Sequence, residues 1–230
     1  PIRVAEDAVV TDLLSGGRHV VGIGIGYREA EFEAFNIPIK ERVLRMSESI
    51  EVMRRLVDLG AHVVPVLTDA ALHMVGPTTF TALGSEPVKT SLWADADPIP
   101  HTTMGQTADL IVVCPATARI ISDLRTGRSA DLLSATLIAT RAPVLIAPAM
   151  HTEMWEHPAV VENLAVLSDR GVHIVPPEEG RLAGGDIGKG RLAAPERIVA
   201  AAVDLLTRAA ADGELAGRTV MVTAGGTRER

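Results

Sequence analysis

P-A-M-H-T-E-M-W-E-H-P, residues 148–158, follows directly on the apolar run A-P-V-L-I-A of residues 142–147. A short apolar run that is halted by proline reads as a buried strand. The polar turn after it, bearing Met150, His151, Met154 and Trp155, then lies at the strand's carboxyl end. In open α/β sheets ligands bind outside the carboxyl ends of parallel strands, so side chains placed there are candidates for a site. Residues 112–118, V-V-C-P-A-T-A, repeat the strand-then-proline pattern. Residues 180–195, G-R-L-A-G-G-D-I-G-K-G-R-L-A-A-P, read as a long Gly-rich loop.

Outward from this stretch, apolar runs predict strands at about 19–25, 62–67, 109–114, 143–147, 172–175 and 219–223. Helical periodicity predicts helices over 4–14, 41–59, 69–75, 162–169 and 195–210, with Pro77 opening a further short one through Leu83. Thr68 stands where a helix N-cap is needed, and residues 86–100 read as a loop with His101 after it. Strands that alternate with helices predict an α/β fold: a doubly wound parallel sheet with helices on both faces and right-handed crossovers.

With 230 residues, 47% of them apolar, the chain can bury a sizeable core. Its net charge of −7 argues against a nucleic-acid or anionic-membrane partner. No apolar run approaches the roughly 18 residues that span a bilayer, and no secretory signal opens the chain, so a cytoplasmic protein is expected. The single cysteine, Cys114, excludes an internal disulfide and a cysteine-cluster metal site, and its place in an apolar strand makes it a packing thiol. His62 and His73 read as core or surface residues, and no metal site is expected.

These three stretches, in this order, resemble the flavin-containing cysteine decarboxylases, a Rossmann-like family, and most closely its phosphopantothenoylcysteine decarboxylases. The resemblance implies FMN as cofactor. It implies that Thr68, Pro115, Ala116, Thr117, Ser129, Asp131 and Met150 hold it, Thr68 beside the flavin phosphate and Asp131 both capping a helix and orienting a flavin edge. His101, after Pro100 and just before the A-D-L-I-V-V run at 108–113, matches the family's catalytic histidine, a proton carrier near neutral pH. The turn at 148–158 matches the family's Pro-Ala-Met-Asn-x-x-Met-Trp. His151 replaces the Asn that is implied to hold the substrate carboxylate, and Met154 is implied to face the substrate. Gly184, Gly185 and Asp186 belong to the loop implied to cover it; many members have Cys where Gly184 stands, a thiol that helps the last reductive step. Arg119 replaces a family Asn, and Thr102 a family Ile.

The resemblance begins at Arg54. Residues 1–53, with S-G-G-R at 15–18 and G-I-G-I-G-Y at 22–27, instead resemble one αβ unit of a luciferase-like flavin monooxygenase. The family's first strand and its Gly-Gly-Ile-Ala phosphate turn are therefore not matched. Gly22, Gly24 and Gly26 are not followed at once by a helix, as a phosphate turn requires. Residues 212–215 read as a short polar linker, and R-T-V-M-V-T-A-G-G-T-R-E-R at 218–230 resembles the start of the ligase domain that follows the decarboxylase in bifunctional coenzyme A biosynthesis proteins. Three segments are thus expected, 1–53, 54–211 and 212–230, of a chain that reads as a piece of a longer protein.

The implied chemistry oxidises the substrate's cysteine thiol to a thioaldehyde, an electron sink from which carbon dioxide leaves, before reduction restores the thiol. The implied partners are the small-molecule substrate and further copies of the chain in a homotrimer or higher oligomer. Two other readings stay open: a flavin-binding chimera without turnover, and a luciferase-like monooxygenase fragment.

Overall fold

The computed structural model describes residues 42–73, 75–93, 99–182, 187–209 and 219–224. The expectations for the strand at 19–25, the helix at 4–14, the glycines at 22–26 and the loop residues Gly184, Gly185 and Asp186 lie outside the described residues.

Helix α1 (Arg42–Asp58) leads to strand β1 (His62–Leu67), then to the short helices α2 (Asp69–Leu72) and α3 (Pro77–Leu83). Helix α4 (Pro100–Thr107), β2 (Leu110–Ala116), α5 (Ala118–Thr126), α6 (Leu132–Ala139) and β3 (Val144–Pro148) follow. Then come α7 (Thr152–Trp155), α8 (Pro158–Asp169), β4 (His173–Ile174), β5 (Glu178–Arg181), β6 (Ile187–Arg191), α9 (Pro195–Ala209) and β7 (Thr219–Ala224). The main sheet has five strands in the order β1-β7-β2-β3-β4, and every neighbouring pair is parallel. An open parallel sheet of this kind is the doubly wound fold that the alternation predicts, and the described residues form no closed barrel.

Side chains along each strand alternate between two cores. Leu110, Val112, Val220 and Val222 face Val52, Met53 and Leu56 of α1 and Ile198, Ala202 and Leu206 of α9. Ile111, Val113 and Met221 face the opposite layer, built from Ile120 and Ile121 of α5, Leu132, Leu133 and Leu137 of α6 and Leu164 and Leu167 of α8. Cys114 is buried in the first core. The outer edge of β1 is covered by the segment after α3, where Lys89 N–H donates to Pro65 O at 2.9 Å and Leu67 N–H donates to Lys89 O at 3.0 Å. Covering an edge in this way removes a template for pairing with other chains.

The strand expected at 219–223 is present as Thr219–Ala224, and it lies in the middle of the sheet, between β1 and β2. It is in register with β1 from His62↔Thr219 to Leu67↔Ala224 and with β2 from Leu110↔Val220 to Val113↔Thr223. Asp109 fixes its start, accepting from Thr219 N–H through Oδ2 at 2.8 Å and donating its own N–H to Thr219 O at 3.0 Å. The physical reason is two-sided hydrophobicity: Val220, Met221 and Val222 are all at most 2% exposed, and only a central strand buries both faces.

Three smaller differences have local causes. His101 lies in the first turn of α4 and not merely after a loop, because Pro100 occupies an N-terminal helical position suited to its fixed φ. The helix read at 162–169 begins at Pro158, with the His157 ring accepting from Ala159 N–H. The Gly-rich stretch is an antiparallel hairpin, β5 against β6, with Gly180 opposite Gly188.

Replacing Val222 by Asp places an unpaired charge in the first core. Urea unfolding is expected to show a loss of about 4 kcal/mol, against about 0.5 kcal/mol or less for Asp at the half-exposed Leu59. Equal, small losses at both positions would mean that β7 is not part of this core.

Candidate functional site

Because the main sheet is parallel, the carboxyl ends of β1, β7, β2 and β3 form one edge, with Leu67 beside Ala224 and Ala116 beside Pro148. Two threonines leave that edge as helix caps. Thr68 Oγ1 accepts from Ala71 N–H at 3.2 Å, and Thr117 Oγ1 accepts from Ile120 N–H at 3.5 Å. Both residues are buried, at 5% and 7% exposure. A capping hydroxyl uses its oxygen as acceptor, so its own hydrogen can still be donated to a ligand. Pro115 and Ala116 form the buried end of β2, behind a cis Cys114–Pro115 peptide bond.

After β3, Ala149 N–H donates to Ala116 O at 3.2 Å, which ties the turn to the end of β2. Met150 is 5% exposed and packs into the second core, with Met154 and Trp155 half-buried against it. His151 is the N-cap of α7, and its Nδ1 is hydrogen-bonded to the Glu153 carboxylate. Glu153 was not singled out from the sequence; the signal was an acidic residue two places after a histidine at a helix start. The contact orients the imidazole ring.

Asp131 caps α6 through a reciprocal pair with Ser134: its carboxylate accepts from Ser134 N–H at 2.8 Å, and Ser134 Oγ accepts from Asp131 N–H at 2.9 Å. Ser129 is exposed just ahead of this cap. Arg119, in the first turn of α5, donates to Asp123 and to Asp131, each at 2.9 Å. The arginine that departs from the family pattern thus has a structural use: it joins α5 to the cap of α6. Burial pushes the Asp131 carboxyl up, but the bonds from Ser134 and Arg119 outweigh it and hold the group below the usual value of 3.8.

His101 stands apart from this cluster in the chain, on α4, whose Gly105 packs against Ala139 at the end of α6. Its Nδ1 is buried and has no hydrogen-bond partner among the described residues. Buried polar atoms are normally paired, so an orphaned one invites a ligand group. The structure therefore gathers Thr68, Pro115, Ala116, Thr117, Met150 and His151 at one edge, links Asp131 to α5 through Arg119, and sets His101 on the helix that packs on α6. The edge offers hydroxyls, the N-terminus of α5 and apolar walls, a donor set suited to an amphipathic ligand with an anionic end.

A family model described as Flavoprotein matches residues 44–207, beginning inside α1 and ahead of Arg54. The chain is 51% identical over 179 residues to the coenzyme A biosynthesis bifunctional protein CoaBC of Mycobacterium tuberculosis, covering 77% of this chain and 43% of that one. It is 44% identical over 177 residues to the CoaBC of Bacillus subtilis, covering 76% and 43%. The chain thus spans less than half the length of these relatives. Among solved structures, a PPC decarboxylase mutant complexed with pantothenoylaminoethenethiol superposes with a TM-score of 0.58 at 28% identity, covering 67% of this chain and 90% of that one. The FMN binding protein AtHal3 gives 0.57 at 29%, covering 70% and 89%.

A carboxyl held below its ordinary value stabilises the fold fully above that value and loses the contribution as pH falls through its folded one. Asp131→Ala is therefore expected to cost about 1–2 kcal/mol at neutral pH. The deficit should shrink as pH falls below 3.8, the ordinary value. Thermal melts of both chains across pH check this, and a deficit that grows on acidification would contradict the assignment.

Proposed function

The chain belongs to the flavoprotein family, and from that premise we propose that it binds FMN at the carboxyl edge of its sheet. We propose further that it decarboxylates phosphopantothenoylcysteine to phosphopantetheine, as the decarboxylase part of a bifunctional coenzyme A biosynthesis protein. The observation that carries this reading is the alignment of Thr68, Thr117 and Met150 along one edge, in a chain about half identical to a CoaBC protein.

When bound, the flavin supplies the redox chemistry that makes the cysteine carbon an electron sink. Thr68 and Thr117 donate their hydroxyl hydrogens to the cofactor's polar groups, and Thr117 also presents the positive N-terminus of α5. Pro115, Ala116 and Met150 line its apolar body, and Ser129 and Asp131 border it from the start of α6. His101 moves the proton; an imidazole nitrogen without a partner among the described residues is available to take up or give one at the reacting atoms. His151, oriented by Glu153, anchors the substrate carboxylate; Met154 is assigned to substrate binding, as are Gly184, Gly185 and Asp186 on the family resemblance, these three lying outside the described residues.

Residues 54–211 form the decarboxylase unit, with residues 1–53 and 212–230 as flanking segments from which α1 and β7 contribute to its core. We propose a cytoplasmic homotrimer or higher oligomer on the family resemblance alone; among the described residues no helix is long and apolar enough to cross a membrane. Gly184, where many family members carry cysteine, favours a second reading: a chain that holds FMN but does not complete turnover.

Carbon dioxide release from phosphopantothenoylcysteine by the FMN-loaded chain decides between the two. With turnover, His101→Asn is expected to keep the flavin bound and to lower the rate by about 10²–10⁴-fold. His151→Ala should weaken substrate binding, and His151→Asn should retain function. Flavin retention without carbon dioxide selects the second reading, and an undiminished rate in His101→Asn removes that histidine from the chemistry.

A further inference from the structure

Strand β6 approaches the turn that carries His151 closely at two glycines. Gly188 and Gly190 are two residues apart on one strand and so share a face. A Cβ built on Gly190 would overlap the Met150 carbonyl oxygen, with Met150 C at 3.2 Å and His151 C at 3.5 Å. A Cβ built on Gly188 would overlap Thr152 Oγ1, with Thr152 Cβ at 3.4 Å. Gly190 also has φ of 147°, a backbone conformation strained for any residue with a side chain. At this close approach Met150 N–H donates to Gly190 O at 3.0 Å.

The two sides of the contact are held very differently. The hairpin is anchored at its base: Arg191 donates to Glu48 of α1 at 3.1 Å, and Arg197 of α9 donates to Glu178 at 2.9 Å. The turn is slight. Helix α7 has four residues, none of them buried, and its N-cap His151 makes no side-chain capping bond. Its backbone bonds are local, Met154 and Trp155 N–H to His151 O and Glu156 N–H to Thr152 O. Besides Ala149 N–H to Ala116 O and the packing of Met150, Met154 and Trp155 on the second core, the turn takes its position from this anchored strand. A side chain that must work at a fixed depth needs such support.

We propose that Gly188 and Gly190 are positioning residues for substrate binding: their missing side chains let β6 hold the turn of His151 at the depth where the imidazole can meet a carboxylate. This rests on the proposed role of His151. The two glycines differ in a way that can be tested. Gly190 abuts backbone, which cannot be cut away, whereas Gly188 abuts a single hydroxyl on a side chain whose β-branching restricts its escape. That hydroxyl is buried and makes no hydrogen bond among the described residues, so its removal costs no bond.

The experiment uses the full chain loaded with FMN and, as probe, phosphopantothenoylserine, which keeps the carboxylate that His151 is proposed to meet and has a hydroxyl in place of the oxidisable thiol. Gly188→Ala and Gly190→Ala are each expected to weaken probe binding by about tenfold or more, since small misplacements of a positioned group carry effects of this order. FMN affinity should fall by less than probe affinity in both variants, because Thr68 and Thr117 lie on other elements and only Met150 of the cofactor's proposed contacts adjoins the glycines. Adding Thr152→Ala should restore probe binding in Gly188→Ala to within about threefold, and should leave Gly190→Ala weak. Amide exchange at Met150 should speed up in Gly190→Ala. Equal probe affinity in wild type and both glycine variants, or no rescue by Thr152→Ala, overturns the positioning role alone. A wild-type chain that takes up FMN but not the probe overturns the substrate reading and this role together.

Discussion

The parallel insertion of β7 between β1 and β2 is the constraint on which the rest depends. Those two strands hydrogen-bond to β7 and not to each other, so the five-stranded sheet is continuous only through residues from the far end of the chain. Insertion also sets the geometry of the edge. With neighbouring strands about 4.8 Å apart, the ends of β1 and β2 stand about 10 Å from each other. Thr68 and Thr117 thus follow the ends of two strands that are separated by β7.

The electrostatics of the edge follow from how its polar groups are already used. Arg119 is committed to Asp123 and Asp131, and Asp131 is committed to the cap of α6 as well. What remains for a ligand is a set of neutral donors: two threonine hydroxyls and the backbone at the start of α5. Such donors stabilise an anion without bringing a mobile cation into the site, and they are rigid because each hydroxyl oxygen is already fixed by its capping bond. The histidines differ in the same respect, His151 being oriented by Glu153 while the Nδ1 of His101 has no partner among the described residues.

Much of this was legible in the sequence where the signal is local. The strand at 62–67 has the bounds expected of it, because an apolar Val-rich run ends at a capping threonine. Thr68, Thr117 and Asp131 cap helices as their residue types suggest. What escaped was non-local. The strand at 219–223 was expected, but its place between β1 and β2 depends on pairing partners far apart in the chain. The hairpin of β5 and β6 escaped because glycine-rich strands lack the alternation that marks a strand; these glycines answer to the close approach of the 150–152 turn. Arg119 read as a departure from a ligand contact, while its carboxylate partners come from the next turn and the next helix.

We propose that the edge completed by β7 is a flavin site, which can be tested by titrating the purified full chain with FMN and following the visible spectrum and gel filtration. Saturable binding of one FMN per chain, retained through the column, is expected, with weaker binding when Thr68 and Thr117 are both replaced by valine. FMN that elutes free, or that binds the double variant as tightly as the wild-type chain, would contradict it.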